Sequence, residues 1–336
     1  MSSTGGGGGV SIRMYQPGDE AGLVELLKAS FGAWPKVEVS VSPREHMLWK
    51  LSSDPESQRF QVVAEAGSRI VGCRLFFFNW FRIQGQRLCC RQGFDLAVHP
   101  DYQGQGVLAG MWAFARQHFD AENDFNFGIG AHPAALHMRV AQGNIKIANK
   151  VQVLVHRLDA LPDAGPAPDA TFDVRAVSAF DERADSLFEE ASRQFDFIRE
   201  RTKDFLNWRH ADARSGVFAI KQAEEEGRML GYVVLCASGN TGVVADVLAL
   251  PGRLDVVERL IQQSLAHFAQ HGMSSVDCWV PTEHPYRPIL VRNGFTHKKR
   301  VVPLSYRYLR APATQLEFLS NPRATVHIMA NDTDLV

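Results

Sequence analysis

The sequence predicts an α/β protein built from two tandem copies of one unit, each a mixed, mostly antiparallel sheet flanked by helices. Three observations predict it. The chain resembles itself at a nearly constant spacing, strand and helix periodicities alternate in the same order in both halves, and a structure-breaking linker separates them. Trp49 and Trp208, like Gly72 and Gly231, lie 159 residues apart, whereas Asp95 and Asp246, like Gly143 and Gly294, lie 151 apart. One connection is therefore eight residues shorter in the second copy. The linker, 161–170, reads "LPDAGPAPDA", a run of Pro, Gly, Ala and Asp that breaks regular structure. The boundaries follow: a glycine-rich tail at 1–9, a first copy at 10–160, and a second at 171–336.

Each copy opens with an amphipathic helix, at Glu20 to Ser30 and again at Glu182 to Arg193. Hairpin strands follow, as in "RFQVVAEAG" then "RIVGCRLFFF", and "GVFAIKQAE" then "RMLGYVVLC". A central strand leads to a long helix at Val107 to Phe119 or Leu254 to His267, where apolar residues recur at helical spacing. Another strand comes next, at Phe125 to Ile129 or Ser275 to Val280, and a short helix with two closing strands completes the copy.

Composition narrows the function. With 336 residues each half can bury its own core. A formal charge of −1 provides no basic field for nucleic acid or an anionic membrane. The apolar run from Val71 to Phe81 is interrupted by Arg and Asn and is shorter than the roughly 18–20 residues of a membrane helix. No secretory signal is visible, so a cytoplasmic protein is expected, monomeric or dimeric. Five cysteines, Cys73, Cys89, Cys90, Cys236 and Cys278, are odd in number and set among apolar residues, as for reduced core residues. No His/Cys cluster has zinc-site spacing, and no metal is expected.

The stretch "HPDYQGQGVLAGMW", His99 to Trp112, carries the chemistry. An alternating apolar strand, "GFDLAV", ends at Pro100, and two glycines separated by one residue precede a helix. Unpaired N–H groups and the positive end of the helix dipole make such a turn an anion site, and glycine lets backbone approach a diphosphate. A tight turn that needs only a positive φ reads the same way. With Val98, Pro100, Gln103, Gly104, Gln105 and Gly106, the run resembles the acyl-CoA signature of the GNAT superfamily of N-acyltransferases. Leu108 stands where that signature has Gly or Ala. The order of elements resembles the superfamily in both halves.

The resemblance implies a donor, acetyl-CoA or another acyl-CoA, held by Gln103, Gly104, Gln105, Gly106, Val107 and Leu108. It also implies a thioester carbonyl polarised by backbone N–H groups of Leu96, Ala97 and Val98. Asp95, on the same strand, is the candidate base, or else a buried hydrogen-bonded carboxylate. His132 and His137, beyond the next strand, are candidate proton shuttles. The superfamily's tyrosine acid has no counterpart, since Arg139 and Leu290 occupy its places. In the second copy "PGRLDVVERL" has lost the glycine pair and puts Asp255 in the first helical turn, where it would repel a diphosphate. That copy is expected to complete the acceptor site. Candidate acceptor contacts are Trp34, Glu38, Glu45, Glu283, His284, Tyr286, Asp332 and Asp334. Trp49 and Trp208 are expected in the core, and Arg199 and Arg201 on a solvated face.

The function predicted is direct transfer of an acyl group, acetyl first among them, to a primary amine of a small molecule or amino sugar, with no cysteine placed to carry it. Two alternatives stand beside it. One is an N-acyltransferase of natural-product tailoring that uses a longer acyl-CoA or an acyl-carrier protein. The other is a non-catalytic binding module of the same fold.

Overall fold

The computed structural model describes residues 3–4, 9–52, 60–119, 123–129, 140–141, 143–147, 151–158, 171–310 and 315–333. Most of the glycine-rich tail, the linker 161–170, His132, His137, Arg139 and Asp334 lie outside these residues. The chain divides into two compact units. The first comprises Met1–Trp80, Leu88–Gly128 and Tyr306–Ala313; the second comprises Phe81–Arg87, Ile129–Ser305 and Thr314–Val336.

In the first unit the strands are β1 (Ser3–Thr4), β2 (Val10–Met14), β3 (Val62–Ala66), β4 (Arg69–Ile83), β5 (Gln86–Val98) and β6 (Phe125–Ile129), and they neighbour one another in that order. β2, β3 and β4 pair antiparallel, while β5 and β6 run parallel, so the sheet is mixed. Helices α1 (Glu20–Phe31) and α2 (Pro43–Leu51) lie between β2 and β3 in sequence, and α3 (Val107–Phe119) lies between β5 and β6. The start of α2 is fixed by a capping box. Ser42 accepts from the Glu45 N–H at 3.3 Å, and Glu45 Oε2 accepts from the Ser42 N–H at 2.9 Å, with Pro43 in the first turn. Glu45, a candidate acceptor contact, is thus occupied as a helix cap.

Helix α3 packs its apolar face, Val107, Met111, Phe114, Ala115 and Phe119, against Ile12, Val62, Ala64 and Val71. Gly72 makes this approach possible. A Cβ there would stand 3.1 Å from Val107 Cγ1 and 3.2 Å from Met111 Cε. The repeat glycine, Gly231, plays the same part, since its Cβ would stand 3.0 Å from Val256 Cγ1. Close seating of a helix on a strand therefore accounts for the glycine shared by both copies.

The second unit contains a seven-stranded sheet of order β15-β8-β14-β13-β12-β11-β9. Its strands are β8 (Val151–Arg157), β9 (Asp173–Val177), β11 (Ala219–Glu225), β12 (Arg228–Ser238), β13 (Thr241–Ala249), β14 (Ser275–Pro281) and β15 (Thr296–Val302). β13 and β14 are parallel, and the other pairings are antiparallel. The helix Leu254–Gln270 buries Val256, Val257, Leu260, Ile261 and Phe268 in a core that includes Tyr232, Val234 and Leu248. The eight-residue difference between copies is a hairpin. β4 and β5 extend further than β12 and β13, and the extra tip at Phe81 to Ile83 pairs with β10 (Phe197–Arg199).

Three segments fall on the other side of the linker from their units: Phe81–Arg87, the stretch from Ile129 that carries β8, and Tyr306–Ala313. β8 precedes the linker yet pairs with β14 and β15, while Tyr306–Ala313 belongs to the first unit. There, the N–H groups of Leu309 and Arg310 donate to Asp124 O at 3.0 and 3.1 Å, just before β6. A fragment of residues 10–160 would carry β8 without its partners and lack 306–313. It should give no cooperative melting transition by circular dichroism, and a sharp two-state melt would show each copy to be autonomous.

Among the described residues no helix is long and apolar enough to cross a membrane. Among them, too, no group of three or more His, Cys, Asp or Glu side chains lies close enough to hold a metal ion.

Candidate active site

The first copy opens where β5 and β6 part. The two strands pair only from Cys90 to Gln92, opposite Phe125 to Phe127. β5 then continues to Val98 with no β6 partner in that register, which sets the backbone of Leu96, Ala97 and Val98 along a fork in the sheet.

Past the fork the chain makes a 3-10 turn at Pro100–Tyr102 and enters α3 at Val107. Gly104 and Gly106 have φ values of +74° and +82°, and a Cβ on either would meet nothing within 4 Å. Backbone conformation rather than crowding requires glycine here, and the space above the turn is open. Gln103 and Gln105 turn inward to brace the turn: Gln103 Nε2 donates to Val98 O at 3.1 Å, and Gln105 Nε2 to Asp101 O at 2.7 Å. Neither side chain is spent outward. What the turn presents is backbone and the first N–H groups of α3, which lack intrahelical acceptors.

Asp95 sits at the fork with φ +38°, in the left-handed region, where aspartate is among the few side chains tolerated. Its carboxylate is held from two directions. Lys50 Nζ donates to Oδ2 at 2.8 Å, and Trp34 Nε1 donates to Oδ1 at 3.2 Å. The Lys50 ammonium also lies 5.0 Å from the Phe94 ring centre and 5.6 Å from that of Trp34. The Cys73 thiol donates to Asp95 O at 3.1 Å, and burial, reinforced by the Asp95 charge, pushes its pKa up. Lys50 is absent from the sequence-based candidates. The signal for it lay in the repeat, because both copies place a basic residue directly after the shared tryptophan, Lys50 and Arg209.

The second copy forks in the same way and is filled differently. β13 pairs with β14 only from Thr241 to Val244. The turn that follows, Pro251 to Arg253, has one glycine, and Asp255 in the first turn of the next helix is held by Arg253 at 2.9 Å. Asp246, the counterpart of Asp95, is fully buried and bonds Arg201 Nε at 2.9 Å and Tyr232 OH at 2.8 Å. Burial alone would raise its pKa; the Arg201 charge and His327 outweigh that and hold it well below the usual carboxylate range. Arg201 also bonds Asp332 Oδ2 at 2.8 Å, and these two carboxylates raise its own pKa against the cost of burial. Burial, and then the neighbouring His327, keeps His284 well below the ordinary histidine value.

Several expectations change here. Arg199 and Arg201 are buried rather than solvated: Arg199 lies 4.2 Å from the centre of the nearby Phe205 ring, and Arg201 is held by Asp246 and Asp332, which are far away in sequence. His284, Tyr286 and Asp332 are interior residues of this unit, whereas Glu38 and Glu283 are exposed. Trp34 is buried and bonded to Asp95. Trp49 is in the core, but Trp208 is only half-buried, 6.0 Å from the Phe205 ring.

Residues 11–134 match the model of the acetyltransferase (GNAT) domain. The fold is similar to that of a probable N-acyltransferase from Enterococcus faecalis, with 12% identity, a TM-score of 0.66, and coverage of 90% of this chain and 73% of that one. It is also similar to a tandem GNAT protein from the clavulanic acid biosynthesis pathway, with 16% identity, a TM-score of 0.58, and coverage of 90% and 99%. N-myristoyltransferase from Saccharomyces cerevisiae, solved with bound myristoyl-CoA, is a third, with 10% identity, a TM-score of 0.64, and coverage of 92% and 81%. No curated protein sequence matches the chain.

Proposed function

We propose that the chain, whose residues 11–134 match the GNAT acetyltransferase domain and whose fold is similar to that of GNAT proteins over 90% of its length, is an acyl-CoA-dependent N-acyltransferase with a single donor site in the first copy. The observation that carries this reading is the difference between the two forks. In the first, strand β5 runs past its last pair into a turn of two left-handed glycines at the head of a 13-residue helix; in the second, the glycine pair is gone. The donor diphosphate sits over Gly104 to Leu108, and the amides of Leu96 to Val98 receive the pantetheine arm and the thioester oxygen. The acceptor is a primary amine of a small molecule or amino sugar. Its nitrogen attacks the thioester carbon, the C–S bond breaks, and the acyl group passes to nitrogen. Asp95 takes the ammonium proton, with His132 and His137 as the competing bases, and the thiolate leaves protonated by water.

Titration calorimetry with acetyl-CoA should give one site per chain. Gly104→Asp adds negative charge beneath the diphosphate and should weaken binding by more than ~2 kcal/mol, on the order of an uncompensated charge. Gly104→Asn supplies the same bulk and tolerates positive φ without the charge, so it should lose clearly less. Two equivalent sites, or equal losses in both variants, would refute the assignment. The likeness to a myristoyl-CoA-binding fold keeps a longer acyl donor as a second reading. Competition between acetyl-, octanoyl- and myristoyl-CoA at the same site separates the two.

A further inference from the structure

We infer that residues 326–333 are a built-in occupant of the second copy's fork, holding the position that the donor arm takes in the first. The comparison with a donor rests on the proposed function; the occupancy itself does not. At the repeat spacing of 151, Leu96 and Val98 correspond to Val247 and Ala249. Both of those amides are engaged from within the chain. Val247 N–H donates to the Met329 thioether at 3.4 Å, and Ala249 N–H donates to Tyr286 OH at 3.1 Å. A methionine sulfur thus stands at the strand amide where a thioester-bearing arm would lie.

The segment is anchored throughout its length. Val326 and His327 (β17) pair parallel with Phe197 and Ile198 of β10. Ile328, Met329, Ala330, Asn331 and Asp332 are each no more than 1% exposed, the burial of a core strand rather than of a chain end. His327 lies 3.4 Å from Asp246 Oδ1 on one arm of the fork, and its Nδ1 is 3.0 Å from Nε2 of His284, just after the other arm. Asp332 Oδ2 accepts from the Met329 N–H at 2.9 Å and from Arg201, which also holds Asp246. Apolar burial, a strand pairing and a buried ion cluster therefore all fasten this segment across the opening. Losing the glycine turn removed the diphosphate seat from this copy; the tail removed the rest of the slot.

Cutting the intact protein tests this without deleting anything. Ser320 to Arg323 form an exposed turn before the segment, suited to a specific protease site. After cleavage of the folded protein, the peptide 324–336 should co-elute with the body in gel filtration and appear with it in native mass spectrometry. Met329→Ala, introduced into the same cleavable protein, should release the peptide about 30-fold faster or more, the rate equivalent of emptying a buried methionine site. Separation of the wild-type peptide in the first column run would overturn the inference. So would equal retention in the two proteins. Neither outcome depends on donor binding, so this test and the acetyl-CoA titration fail independently.

Discussion

Replacing Arg201 with methionine should destabilise the second unit by about 3–5 kcal/mol, the usual consequence of removing one partner from a buried ion pair. The guanidinium is fully buried and bonds both Asp246 and Asp332, so its loss strands two carboxylates in the interior. For a unit of this size the melting temperature should fall by roughly 10 °C or more. The pH dependence of that loss identifies its cause. In the wild type, Arg201 holds the Asp246 pKa below its unfolded value of 3.8, so the pair's contribution is present above that value and disappears as pH falls through the folded pKa. In the variant, burial without the cation raises the carboxylate pKa, so acidification relieves the strain instead. The difference between wild type and Arg201→Met should therefore shrink between pH 7.5 and pH 5, as measured by denaturant unfolding. A constant difference, or one below about 1 kcal/mol, would mean that the cluster is hydrated and contributes little.

Asp95→Asn should lower kcat by a factor of about 10²–10⁴ while leaving the affinity for acetyl-CoA unchanged, the scale expected for a lost general base. The side chain keeps its shape but leaves the Lys50 ammonium beside a neutral amide, so stability falls as well. A double variant, Lys50→Met with Asp95→Asn, removes the ammonium as well. It should regain most of the melting temperature and none of the turnover. If the double variant recovers both, Asp95 is a structural anchor of the fork and not the base. His132→Ala and His137→Ala, measured alongside, identify which residue then takes the proton.

Local features of the fold were legible in the sequence, and pairings between distant segments were not. Val107 to Phe119 and Phe125 to Ile129 are read correctly to the residue, because apolar spacing and turn residues bound them on both sides. Gly72 and Gly231 were visible as a repeat because close helix packing leaves no alternative to glycine. Periodicity identifies a strand without naming its neighbour, so β8 read as the end of the first copy although it pairs with β14 and β15. The same limit hid the cluster around Asp246. Arg201 looks like a surface charge until a carboxylate 45 residues onward and another near the chain end turn toward it. At the first fork, the glycine turn was evident from composition, whereas Lys50 was not, since a lysine on a helix ordinarily lies in solvent.

The division of β8 and 306–313 across the linker sets a timetable for synthesis. When β6 has emerged from the ribosome, the first unit still lacks Tyr306–Ala313, which arrives about 180 residues later. At ordinary elongation rates that interval is on the order of 10–40 s. During that time β6, whose neighbour in the finished sheet is the strand Leu304–Tyr308, has an uncovered edge, open to pairing with whatever strand is nearby. The nascent chain is thus exposed between the synthesis of residues 129 and 306, and a chaperone shielding the β6 edge would help during that interval.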